Sequence, residues 1–221
     1  MLLVLWDIDG TLVHTAGHGR FAFEEAFRKV VGREPAAVDY AGRTDHQIAL
    51  TMLDGERDHL PRVLEELAEA LEARKEAVRL DGHAYPGVTE VLEALHGRDD
   101  VVQSLLTGNI ESNAALKVSA FGLERWLDFE VGAYGSDPHE RRSDLVAVAR
   151  ERAAAKYGET TGAVLVGDTP LDVLAAREAG ARAVAVMTGF ADRDALRESG
   201  PDALLEDYSD TGAAVAAITS T

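Results

Sequence analysis

Cysteine is absent from the 221 residues, which excludes a disulfide framework, a thiolate nucleophile and a cysteine metal site. Basic residues are also scarce: 22 Lys and Arg stand against 39 Asp and Glu, a formal charge of −17. Nucleic acid and anionic membranes would repel such a chain, although a local site can still hold a small anion. No stretch approaches the ~18 consecutive apolar residues of a membrane span. The opening Met1-Leu2-Leu3-Val4-Leu5-Trp6 lacks the basic start and longer apolar run of a signal peptide. The expectation is a soluble, cytoplasmic chain, monomer or homodimer, with neither nucleic acid nor membrane as partner. With 46% apolar residues, this length suits one large α/β domain or a domain carrying a modest insert.

What is present is a recurring unit. Leu2–Trp6 is a short apolar run ending in Asp7, Asp9 and Gly10, as expected of a strand buried on both faces. Similar runs are Val101–Leu106 before Thr107-Gly108-Asn109, Ala163–Val166 before Gly167-Asp168, and Ala183–Met187 before Thr188-Gly189, with a weaker one at Asp128–Gly132. Each leads through small or polar residues into a helical pattern, which predicts right-handed crossovers and a parallel, three-layer α/β sheet. From Thr15 to Gly82 the pattern is helical only. Phe21 to Val30, Gln47 to Leu53 and Pro61 to Leu80 each fit a helix, so this segment reads as a helical lid inserted after the first strand. Tyr85-Pro86-Gly87 then returns the chain to the core.

Ligands of open parallel sheets bind beyond the carboxyl ends of the strands. There the sequence collects Asp7 and Asp9, Thr107 and Asn109, and Asp168 and Asp172. Converging carboxylates repel one another unless a cation offsets them, and oxygen donors with water suit Mg²⁺. Thr107, with the N–H groups of Gly108 and Asn109 at a helix start, offers donors to an anion. A metal, an anion cradle and carboxylates together are parts for phosphoryl transfer. Read alone, each piece has a plainer explanation in strand-end turns, helix caps and helix-dipole charges.

Asp7-Ile8-Asp9-Gly10-Thr11-Leu12 resembles the first motif, DxDGTL, of the haloacid dehalogenase-like hydrolase superfamily. Leu106-Thr107-Gly108-Asn109 resembles its second motif and Gly167-Asp168-Thr169-Pro170-Leu171-Asp172 its fourth, in the family's order. The likeness implies a Rossmann-like core (1–14 and 84–221) with an α-helical C1-type cap (15–83), similar to phosphoglycolate phosphatase-like members. It implies Asp7 as nucleophile, Asp9 as general acid and base, and Mg²⁺ held by Asp7, the Asp9 carbonyl and Asp168, with Asp172 in support. Thr107, Gly108 and Asn109 would bind the phosphoryl group. The implied substrate is a small phosphorylated metabolite.

The third motif departs from the family's usual Lys. Arg142 is the first candidate for that cation, Arg141 the second and Lys117 the third, and an Arg is not a neutral exchange for Lys. Gly42-Arg43-Thr44-Asp45 resembles the cap's specificity loop, which makes Arg43 and Thr44 candidate substrate contacts, while Asp45 would cap the following helix. Gly17 and Gly19 are candidate hinge positions, and His14, His18 and His46 lie where they could face the site. A β-phosphoglucomutase-type phosphomutase would share all these core residues. A haloacid dehalogenase would not need Asp9, and a response-regulator-like module would need no lid.

Overall fold

The apolar run Leu2–Trp6 forms β1, and its lack of polar side chains suits the centre of a sheet covered on both sides. In the computed structural model, which describes residues 1–138 and 141–220, β1 is followed by β2 (Val13–His14) and four helices: α1 (His18–Val31), α2 (Asp45–Met52), α3 (Leu60–Ala73) and α4 (Lys75–Asp81). Then come β3 (His83–Ala84), α5 (Val88–His96), β4 (Val101–Leu105) and α6 (Glu111–Ser119). The chain closes with α7 (Arg142–Tyr157), β5 (Gly162–Gly167), α8 (Pro170–Glu178), β6 (Arg182–Val186), α9 (Arg193–Glu198), β7 (Ala203–Leu205) and α10 (Thr211–Thr219).

Strands β4-β1-β5-β6-β7 make one parallel sheet in that order, with Leu3 opposite Val102 on one side and Ala163 on the other. The alternation of side chains along β1 divides the core. Val4 and Trp6 pack with Val88, Leu92 and Ile218 on one face, and Leu3 and Leu5 with Leu145, Ala149 and Ala176 on the other. This is the expected three-layer α/β arrangement. A separate apolar cluster holds α1 to α4 together around Phe27, Leu67 and Leu71, and takes in Ile110 and Leu116 from the α6 region. The two chain segments joining this helical unit to the sheet pair with each other as the antiparallel ladder β2–β3, His14 opposite His83.

Three details differ from the sequence reading. Asp128–Gly132 is no strand: the Asp128 side chain accepts from the Glu130 N–H and starts a 3-10 turn over Phe129–Val131. The segment is tied to β4 by hydrogen bonds from the Asp128 N–H to the Gln103 carbonyl (2.8 Å) and from the Ala133 N–H to the Leu105 carbonyl (2.9 Å), with an isolated parallel bridge between Leu106 and Ala133 just beyond the strand. Pro61–Leu80 is two helices, because the chain breaks at Arg74, whose guanidinium pairs with Glu25 at 2.8 Å and lies over the Phe21 ring. Strand β7, three half-buried residues at the sheet edge, is too short to show a period in sequence.

Candidate active site

Asp7 leaves β1 at the carboxyl end of the sheet, where the Ile8 carbonyl accepts from the N–H groups of Thr11, Leu12 and Val13 and folds the chain into a tight loop. Gly10 holds φ of 85° there, a conformation that glycine takes without strain. The loop leaves Asp7 buried and Asp9 facing a cavity of about 540 Å³. Each of these carboxylates has its own cation. Arg142, buried at the start of α7, places Nη2 2.8 Å from Asp7 Oδ1 and 2.6 Å from Asp172 Oδ1. Lys117, buried on α6, donates from Nζ to Asp9 Oδ2 at 2.6 Å and to Asn109 Oδ1 at 2.7 Å.

Of the three candidate cations, Arg142 thus reaches Asp7. Arg141 is exposed and pairs with Asp144. Lys117 belongs to Asp9, and Asn109 completes that group by donating from Nδ2 to Asp9 Oδ2 (2.9 Å) and to Thr107 Oγ1 (2.8 Å). Thr107 is fully buried at the end of β4 and, with Gly108, lines the cavity. Asn113 also lines it, one turn before Lys117 and equally buried. Sequence reading missed Asn113; its signal was a polar pair at i and i+4 on an otherwise apolar helix face.

Opposite Arg142, Asp168 ends β5. It accepts a hydrogen bond from Thr11 Oγ1 at 3.2 Å. Asp172 is divided between two tasks: its Oδ2 accepts from the Thr169 N–H and hydroxyl in a capping box that starts α8, and its Oδ1 faces Arg142. Asp7, Asp168 and Asp172 each offer an oxygen, all within 4.8 Å of one another. One guanidinium among three buried carboxylates leaves an excess of negative charge. Burial, with Asp172 and Asp9 adding to it against Arg142, pushes Asp7 up to about 6. Burial and the neighbouring Asp7 raise Asp168 well above the ordinary carboxylate value. An all-oxygen donor set with surplus charge fits a hard divalent cation.

Glycines make room for this cluster. A Cβ on Gly10 or on Gly189, just beyond β6, would collide with the Asp168 carboxylate. Gly189 is a second residue missed in the sequence, where Thr188-Gly189 looked like no more than a strand end. Gly189→Ala is expected to displace Asp168 and weaken divalent-ion binding by about tenfold or more, as read by calorimetric titration with Mg²⁺. Unchanged affinity would place Asp168 outside the ion's surroundings.

The helical unit closes on this end of the sheet through α2. Thr44 caps α2 in a capping box with Gln47 and is not among the residues that line the cavity. Arg43 does line it and is exposed at its rim. Asp45 is the first residue of α2 and not its cap: its N–H donates to the Gly108 carbonyl and its Oδ2 accepts from the Ile110 N–H, both at 2.8 Å. A Cβ on Gly108 would collide with the Arg43 carbonyl, so the close approach requires glycine. His46 Nδ1 meets the Gly135 carbonyl at 2.5 Å and His18 Nε2 meets Asp81 at 2.8 Å. Of these three histidines only His14 lines the cavity.

Burial pushes Asp45 up to about 6, against the attraction of Lys117 and the Ile110 hydrogen bond. A carboxyl whose folded value lies above its unfolded one stabilises the fold when protonated. That contribution is present below the ordinary value near 3.8 and is lost as pH rises through 6. Asp45→Asn, which keeps the acceptor, should therefore stabilise the protein by about 1–3 kcal/mol at pH 8 and make little difference below pH 4. Thermal unfolding at the two pH values checks this, and an equal effect at both would contradict it.

Residues 1–180 match the family model of haloacid dehalogenase-like hydrolases. The chain belongs to this family. It is 31% identical over 219 residues to a phosphoglycolate phosphatase of Synechococcus elongatus, covering 95% of each chain. To the putative pyrophosphatase PpaX of Caldanaerobacter subterraneus it is 28% identical, covering 92% of this chain and 90% of the other. The fold is similar to the crystal structure of a hydrolase from Pseudomonas syringae (TM-score 0.74, 23% identity, full coverage of both chains). As a member of the haloacid dehalogenase-like hydrolases, the chain brings together Asp7, Asp9, Thr107, Asn109, Arg142 and Asp168 around one cavity.

Proposed function

We propose that this hydrolase is a Mg²⁺-dependent phosphatase that hydrolyses a small phosphomonoester through an aspartyl-phosphate on Asp7, similar to its phosphoglycolate phosphatase relatives. One observation carries the reading: two carboxylates, two residues apart, sit in different settings at one cavity. Asp7 is buried against Arg142; Asp9 faces the cavity between Lys117 and Asn109. Such divided environments suit divided roles.

In the first step an Asp7 oxygen attacks phosphorus, the bond from phosphorus to the leaving oxygen breaks, and Asp9 gives that oxygen its proton. In the second, Asp9 takes a proton from water, the water oxygen attacks phosphorus, and Asp7 leaves as carboxylate with inorganic phosphate as product. Arg142, the Thr107 hydroxyl and the N–H groups of Gly108 and Asn109 hold the phosphoryl oxygens. Asp7, Asp168 and Asp172, with the Asp9 carbonyl, would hold Mg²⁺, which supplies charge neutralisation for attack by one anion on another. Lys117 keeps Asp9 turned toward the leaving oxygen. Residues 15–83 act as a cap that closes over the site, hinged where β2 meets β3, and Arg43 stands at its rim to meet the substrate.

The test is phosphate release from a panel of small phosphomonoesters and p-nitrophenyl phosphate. The expected result is release with Mg²⁺, loss of release in chelator and recovery when Mg²⁺ is restored. Full activity in chelator would overturn the metal assignment. Transfer of phosphate to a second hydroxyl of a sugar phosphate, without release, would identify a phosphomutase instead.

A further inference from the structure

Residues 42–46, at the start of α2, meet three segments of the core. The Gly42 carbonyl accepts from Arg142 Nη1 at 3.4 Å and His46 Nδ1 meets the Gly135 carbonyl at 2.5 Å. Between these contacts Asp45 reaches the turn that joins β4 to α6. The packing there is backbone on backbone. A Cβ on Gly108 would collide with the Arg43 carbonyl, and one on Gly135 with the Gly108 carbonyl.

Asp45 binds this turn twice: its N–H donates to the Gly108 carbonyl and its Oδ2 accepts from the Ile110 N–H, both at 2.8 Å. Because a peptide group is planar, a partner on its carbonyl also sets the direction of the N–H on the other side. The Gly108 carbonyl shares its plane with the Asn109 N–H, which is thereby turned to the Thr107 hydroxyl, 3.3 Å away at the cavity wall. The next plane joins the Asn109 carbonyl to the Ile110 N–H. The Gly135 N–H holds its carbonyl end at 2.8 Å and the Asp45 carboxyl its other end. Ile110, which precedes α6, has no side-chain oxygen to cap the helix. The Asp45 carboxyl and the Ser136 hydroxyl, 3.2 Å from the Glu111 nitrogen, accept from its first N–H groups instead. Helix α6 in turn carries Asn113 and Lys117 to the cavity.

We propose that Asp45 is a positioning residue for phosphoryl transfer: by binding Gly108 and Ile110 from the cap, it aims the Asn109 N–H and the start of α6 into the cavity, so that these donors are set only when the cap is shut. This rests on the phosphatase reading above. Donors already aimed at developing charge favour the transition state over the bound ester, so the effect belongs in kcat and not in KM. Both transfer steps place charge on the same phosphoryl oxygens, and kcat falls whichever is slower.

The experiment measures kcat and KM at saturating Mg²⁺ for the fastest ester of the panel above, in the parent, Asp45→Ala and Asp45→Asn. Inhibition by orthovanadate, which imitates phosphorus in transfer, is compared with inhibition by inorganic phosphate, which imitates the bound ground state. Asp45→Ala frees the Ile110 N–H and leaves the turn a single bond to the cap. Alanine suits the first turn of α2 and spares the Thr44–Gln47 capping box, so the variant should fold, as thermal unfolding checks. The expected result for Asp45→Ala is a kcat lower by about tenfold or more, with KM within about threefold of the parent. Orthovanadate should weaken by the same factor as kcat, and phosphate by less than about threefold. Asp45→Asn keeps an acceptor for the Ile110 N–H and should retain at least about a third of the parent's kcat. A parental kcat in Asp45→Ala, equal weakening of phosphate and orthovanadate, or an Asp45→Asn no better than Asp45→Ala would each overturn the inference and leave the phosphatase standing. No release from any ester by the parent would overturn the phosphatase and this inference with it.

Discussion

Asp7→Asn is expected to lower phosphate release at least about a thousandfold, because an amide cannot serve as the nucleophile while every binding group stays in place. The exchange keeps the shape of the side chain and removes one of three clustered negative charges. The variant should therefore fold as well as the parent, and thermal unfolding separates lost chemistry from lost structure. Retention of more than a tenth of the activity in a folded Asp7→Asn protein would assign the nucleophile elsewhere.

Arg142→Ala is expected to damage both stability and activity. Arg142 is the buried cation between Asp7 and Asp172, and its removal leaves both carboxylates, with Asp168, buried and uncompensated. Breaking a buried ion pair from one side costs about 3–5 kcal/mol, which urea unfolding in chelator measures. Excess Mg²⁺ should restore part of the loss, since an ion that binds only the folded state adds about 2.7 kcal/mol at a hundred times its Kd. Activity should fall about a hundredfold or more with the loss of a charged group at the phosphoryl oxygens. Arg142→Lys keeps the charge but not the planar fork that spans two carboxylates, so it should fall between the parent and the alanine variant. Equal stability of Arg142→Ala and parent in chelator would mean that the charge cluster is not what Arg142 balances.

Much of this was legible in the sequence because it is written in local signals. Strand β1 followed by Asp7-Ile8-Asp9-Gly10, and β5 followed by Asp168, join an apolar run directly to clustered carboxylates, so the parallel sheet and its carboxylates could be read together. The helical insert was legible in the same way, from period alone. What resisted reading depends on distant packing. Arg141 and Arg142 are neighbours in sequence, and only the docking of α7 turns one toward Asp7 and the other to solvent. Lys117 was visible as a basic residue on a helix, but its pairing with Asp9, 108 positions earlier, is set by how α6 lies over the β1 loop. Thr44 rather than Asp45 caps α2, a shift of one residue that is within the ordinary error of reading a helix start. Gly189 has no side chain to advertise itself; its importance lies in the space that Asp168 occupies.

The most direct measurement is a search for the phosphoryl group on Asp7. Asp9→Asn is suited to it, since the variant lacks the base that activates water while Asp7 and Arg142 are untouched, and the phosphoenzyme should accumulate. After brief incubation with p-nitrophenyl phosphate and Mg²⁺ and quenching in acid, peptide mass spectrometry should find one added phosphoryl group, on the peptide holding Asp7. It should be absent from Asp7→Asn treated in the same way. A phosphoryl group on any other residue, or phosphate released by a folded enzyme with no modification of Asp7 at any time, would contradict nucleophilic catalysis by Asp7.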